Sequence, residues 1–174
     1  MSINRDRNYL LILPEDSAYQ SLLNGVKQSG NINKNLLDIR HPCGGWSKVF
    51  DAFESSGRVL LNRKPRTTYV LLLIDFDDKT ENGSQNFANR MEKFKELSQE
   101  YADRVFLLGV NYKEAEALKK LFSQSNLEAI GRMLIEDCPN GDLSNWNNKH
   151  LTCNLPEIAR MKQAGVLDWL FASS

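Results

Sequence analysis

The stretch Leu71-Leu-Leu-Ile-Asp75-Phe-Asp77 decides the fold. It ends the run Thr67 to Ile74, the strongest strand signal in the chain, a continuous apolar segment of strand length that stops at Asp75-Phe-Asp-Asp78. Being the most hydrophobic strand, it is expected to lie centrally in a sheet.

Working outward, Tyr9-Leu-Leu-Ile-Leu13 reads as a first buried strand ended by Pro14. In the segment behind it, Ala18, Leu22 and Val26 share helical spacing, Asp16 or Ser17 can cap, and Gly25 lies near the exit. Gln28 to Asn35 reads as a loop, Leu36 to Arg40 as a short strand, and Ser47 to Ser55 as a helix opened by Gly44-Gly45. Beyond the central strand, Ser84 to Tyr101 is amphipathic, with Phe87, Met91, Phe94 and Leu97 on its apolar face. Arg104 to Gly109 is a fourth strand, followed by helical patterns at 113–122 and 127–136. Strand and helix alternate, so the expected fold is α/β: a single domain spanning 1–174, with a mostly parallel four-stranded sheet flanked by helices. The core is expected over about 9–122. The remainder, 123–174, is expected as a long ordered loop and a helical C-terminal extension broken near Gly165.

Composition narrows the class. Hydrophobic residues make up 41% and charged residues 25%, globular values that exclude disorder and fibrous repeats. No apolar run approaches the roughly 20 residues of a membrane-spanning helix, and the N-terminus is too polar for a signal peptide, so no membrane partner is expected. Three cysteines without CxxC spacing, Cys43, Cys138 and Cys153, point to idle thiols in a reducing, cytoplasmic setting. The 22 Lys and Arg cancel the 22 Asp and Glu, which argues against a protein that coats nucleic acid by bulk charge.

Chemistry is expected beyond the carboxyl ends of the strands, where ligands bind in open parallel sheets. Glu15 and Asp16 follow the first strand, and Asp75, Asp77 and Asp78 follow the third. Asp75 and Asp77, two apart on an extended segment, point to one side. Clustered carboxylates repel one another unless a divalent cation neutralises them, and all-oxygen ligands suit Mg²⁺ or Mn²⁺ better than zinc.

A strand ending in a glutamate (Leu10-Leu-Ile-Leu-Pro-Glu15), a glycine segment midway (Gly44-Gly45-Trp46) and a hydrophobic strand ending in DxD (Asp75, Asp77) resemble the TOPRIM domain of topoisomerases, primases and OLD-type nucleases. The resemblance covers about 9–116, more weakly through Phe106 to Gly109 with Glu114 and Glu116, and Pro14-Glu15-Asp16 stands where the family has Glu-Gly. It looks closest to small stand-alone bacterial TOPRIM-like proteins, some linked to phage defence. The resemblance implies a magnesium-dependent nuclease in which Glu15 is a general acid/base or metal ligand. Asp75 and Asp77 would then hold the metal against a phosphodiester.

Arg58, Arg63, Lys64 and Arg66 form a basic cluster that can neutralise nucleic-acid phosphates. Asp78, His41 and Glu116 are auxiliary candidates, since Glu114 and Glu116 do not face the same way on a helix. Two other readings compete with the nuclease. One is a non-catalytic binding or assembly module with a partner protein or a second copy, its contact surface in the Asn-rich tail around Trp146. The other is a phosphotransfer domain, disfavoured because the acidic DxD follows the third strand rather than the first.

Overall fold

The structure, a computed structural model, describes residues 4–77 and 85–171. Among them, four parallel strands form one sheet in the order β2-β1-β3-β4. The strands are β1 (Tyr9–Pro14), β2 (Leu37–Ile39), β3 (Thr68–Asp75) and β4 (Val105–Val110). The expected α/β architecture is present, with β1 and β3 at the centre.

Every residue of β1 is buried, as is nearly all of β3, because helices cover both faces. Strand side chains alternate between two core layers. Leu10, Ile12, Leu71 and Leu73 face α1 (Ser17–Gln28), α6 (Leu127–Asp137) and the C-terminal helices α7 (Leu155–Gln163) and α8 (Val166–Phe171). Tyr9, Leu11, Leu13, Val70, Leu72 and Ile74 face α2 (Trp46–Ala52), α3 (Arg58–Arg63) and α4 (Asn86–Ser98). The short α5 (Ala117–Leu121) places Leu118 in the first layer.

Asp16 caps α1, accepting from the backbone N–H groups of Ala18 and Tyr19. Gly25 does not end this helix, which runs on to Gln28. A Cβ at Gly25 would stand 1.9 Å from the Glu128 carbonyl oxygen, and one at Gly131 2.0 Å from that of Leu22, so α1 and α6 cross in backbone contact. The basic segment is partly helical. Arg58 and Arg63 lie on α3, which continues α2 through a π-helical turn at Phe53–Gly57.

The C-terminal third belongs to the core rather than extending from it: Leu127, Ile130, Leu134, Ile158, Met161 and Leu170 are buried in the first layer. It also covers the outer edge of β4. The Leu107 N–H donates to the Glu157 carboxylate at 3.0 Å, the Gly109 N–H donates to Asn154 Oδ1 at 2.9 Å, and Asn154 Nδ2 donates back to the Gly109 carbonyl at 2.8 Å. The Asn111 N–H reaches the His150 carbonyl at 2.9 Å, and Arg160, paired with Glu157, donates to the Val105 carbonyl. Alternate residues of β4 thus find partners that a fifth strand would otherwise supply.

Asn154→Ala orphans the Gly109 N–H and leaves its carbonyl only the 3.8 Å contact from the Cys153 thiol, and should lower stability by about 1–4 kcal/mol, at about 1–3 kcal/mol per buried unpaired group. The exposed Asn140→Ala should stay within about 0.5 kcal/mol. Urea denaturation midpoints of the two variants check this.

Candidate active site at the carboxyl end of the sheet

From β1 the chain crosses to β2 on one side and then returns to β3 on the other, so the β1/β3 gap is the topological switch point. Glu15 and Asp75 end the two strands that flank it. The Glu15 N–H donates to the Leu73 carbonyl at 2.9 Å, holding Glu15 in register with β3. Its own carbonyl turns away to accept from the Gly44 N–H at 2.8 Å, and its carboxylate takes the Asp75 N–H at 2.7 Å. A side chain thereby supplies the ladder rung that the backbone gives up.

The glycine segment makes this possible. Gly44 and Gly45 have φ of 90° and 151°, values disfavoured for residues with a Cβ, and lead the chain from β2 along the end of β1 into α2. Trp46, the first residue of α2, lies under the Arg90 guanidinium, 4.5 Å from the ring centroid. Arg90 also donates to the Asp75 carbonyl, and its charge favours ionised Glu15. Burial nevertheless raises the Glu15 pKa, outweighing the hydrogen bonds from the Asp75 and Trp46 backbone.

Asp75 continues the Leu71 and Leu73 face and meets Tyr19 of α1, whose hydroxyl lies 2.7 Å from Asp75 Oδ1, 2.8 Å from the Ile74 carbonyl and 3.1 Å from the Val110 N–H. One hydroxyl proton cannot serve both oxygens. With Asp75 protonated, the carboxyl donates to Tyr19, Tyr19 donates to Ile74 and Val110 donates to Tyr19, so every group is paired. Burial pushes the Asp75 pKa up to about 7, with Glu15, Asp16 and Glu114 adding repulsion. An ionised Asp75 instead accepts the Tyr19 proton, which lowers its pKa against that trend.

The other sequence candidates fall in several places. Asp77 has a φ of 51°, so the extended geometry expected through Asp75-Phe-Asp does not reach it. Asp78 lies outside the described residues. His41 is exposed after β2 and makes no hydrogen bond among the described residues. Glu116 is exposed at the start of α5, and it is Glu114 whose charge reaches Asp75. Burial raises the pKa of Cys43 and pushes Cys138 and Cys153 up to about 12, leaving protonated thiols as expected. Trp146 is an internal anchor, with its Nε1 donating to the Leu134 carbonyl.

The basic cluster sits at the opposite end of the sheet. Lys64 and Arg66 precede Thr68, the first residue of β3, and Arg63, Lys64 and Arg66 line a shallow pocket with Arg5 and Asp6 just before β1. The 8 residues of β3 separate this end from Asp75 by about 23 Å, at about 3.3 Å per step. Lys64 is paired with Asp6, and Arg58 with Glu100. Arg90, adjacent to the acids, has no counterpart among the sequence candidates.

Oxygen donors of this kind suit Mg²⁺. Asp75 uses one carboxylate oxygen in the bonds above and retains the other, while the Glu15 carboxylate accepts from two backbone N–H groups and still has lone pairs beyond those two bonds. Among the described residues no group of three His, Cys, Asp or Glu is placed to hold a metal. Two carboxylates with water and phosphate oxygens suffice for Mg²⁺, which seldom uses an all-protein cage. Comparison with family models, curated proteins and solved structures finds no match.

A folded-state pKa near 7 for Asp75, against about 4 in the unfolded chain, means that the native protein binds the extra proton between those values. Its contribution to stability is full below about pH 4 and is lost as pH rises through about 7. Between pH 5 and pH 8 the stability of Asp75→Asn should improve relative to the parent by about 2–3 kcal/mol, read from urea denaturation at each pH.

Proposed function

We propose that the protein is a divalent-metal-dependent enzyme acting on phosphodiester bonds, a nuclease of TOPRIM-like kind. One observation carries the reading: Glu15 and Asp75 meet over the switch point between β1 and β3, joined by a 2.7 Å bond from the Asp75 N–H to the Glu15 carboxylate. Asp75 and Glu15 would hold Mg²⁺ or Mn²⁺. The ion, when bound, stabilises charge developing on phosphate oxygens. Glu15, whose pKa is raised by burial, would be the group that takes up and returns a proton. The Asp75 and Trp46 backbone N–H groups fix the orientation of its carboxylate. Tyr19 holds Asp75 from the other face of the sheet.

A second reading, a binding module without catalysis, is favoured by the absence of a three-carboxylate group among the described residues and by the hold of Tyr19 on Asp75. Nucleic acid is the expected ligand in either case.

Incubation with single-stranded and duplex DNA and RNA in Mg²⁺ or Mn²⁺ should give cleavage, reduced about 100-fold or more in Glu15→Gln, the usual scale of acid/base assistance. Asp75→Asn should abolish divalent-ion binding in calorimetry. Cleavage undiminished in both variants would sink the catalytic reading. No cleavage by the parent, with no heat of Mg²⁺ binding at millimolar concentration, would select the binding module.

A further inference from the structure

We infer that nucleic-acid phosphates are gripped by Lys48, Arg90 and Lys93 around Trp46, at the carboxyl end of the sheet, and not by the Arg63–Arg66 cluster at the other end. The inference rests on the reading of the Glu15 and Asp75 site as one that takes nucleic acid.

Arg90 and Lys93 are one turn apart on α4, and both lie over the Trp46 ring, with Arg90 Cζ at 4.5 Å and Lys93 Nζ at 5.7 Å from its centroid. The Lys93 ammonium also stands 5.7 Å from the Phe50 ring centroid. Lys48 leans back over the glycine segment, its Nζ 3.8 Å from where a Gly44 Cβ would be, and Gly44 is bonded to the Glu15 carbonyl. Arg90 therefore touches the acids directly, and Lys48 and Lys93 flank it through the glycine segment and Trp46. Aromatic rings hold two of them in place without neutralising them.

These three belong to the larger set of cations that have no carboxylate within 4.0 Å among the described residues. Arg5, Arg40, Arg58, Lys64, Arg104 and Arg160 each have a carboxylate within 4.0 Å, whereas Lys48, Arg90 and Lys93 have none among the described residues. At the opposite end Arg63 and Arg66 are likewise unpaired, but Asp6 and Asp38 offset their neighbours Lys64 and Arg5. Arg90 spends one donor on the Asp75 carbonyl, and a guanidinium has five. The rest are available to a phosphate seated against Glu15 and Asp75. Carboxylates that receive a metal and cations that receive phosphate oxygens are complementary needs at one scissile group.

The test is binding without metal, so that it stands apart from cleavage. A fluorescein-labelled single strand of about twelve nucleotides is titrated in EDTA at several salt concentrations and followed by anisotropy. The Lys48→Gln/Arg90→Gln/Lys93→Gln variant should bind about tenfold or more weakly, with the salt slope reduced by about two. Arg63→Gln/Arg66→Gln should bind within about twofold of the parent. Because Arg90 also braces the Asp75 carbonyl, Lys48→Gln/Lys93→Gln is measured beside it, and should show about two thirds of that slope change with an unaltered denaturation midpoint. Loss confined to Arg63→Gln/Arg66→Gln, equal loss at both ends, or no binding by the parent would overturn the inference. Binding lost as expected with no cleavage by the parent would leave it standing and remove only the catalytic reading.

Discussion

The rest of the site depends on the bond from the Asp75 N–H to the Glu15 carboxylate. Parallel pairing of β1 with β3 ends one step earlier, and a backbone rung there would have kept the Glu15 carbonyl in the ladder. Giving that carbonyl to Gly44 lets the β2–α2 loop lie along the end of β1. The loop brings Trp46 forward, and Trp46 carries Arg90 from α4. A single exchange of acceptor thus draws three crossover segments to one point, and it leaves a carboxylate half-buried where water would ordinarily solvate it.

The two ends of the sheet have separate electrostatic characters. At the carboxyl end the acids are crowded and shielded, and the cations around them rest on aromatic rings. At the amino end some charges are matched, as in Lys64 with Asp6 and Arg5 with Asp38, and Arg63 and Arg66 stand without a carboxylate among the described residues. Zero net charge is a sum over these unlike regions. Exposed matched pairs contribute little to either stability or ligand capture, whereas unmatched charge beside a buried carboxylate creates a field directed at one place.

Much of the frame was legible in the chain because burial on two faces leaves an unmistakable mark. The runs ending at Pro14 and Ile74 are largely apolar, and the acids that stop them, Glu15 and Asp75, are the candidate site residues. The break at Gly165 and the capping by Asp16 were legible for the same local reason. Features set by distant contact were not. Gly25 reads by its place near the helix exit, and its packing role, with the α6 backbone occupying the space of its missing side chain, is not visible in the sequence. The charges from Arg58 to Arg66 hide a helix that buries Leu61 fully. Arg90 reads as one more solvated helix residue, since its partners Trp46 and Asp75 come from other elements. The left-handed φ of Asp77 breaks an alternation that sequence spacing assumes to continue.

The covering of β4 bears on how such a sheet ends. Asn154 and Glu157 satisfy the backbone groups that a neighbouring strand would take, and they do so from the loop and helix that follow α6. The β4 edge is thus closed by side chains from the C-terminal third, while the other edge carries the short β2 and its charged Asp38.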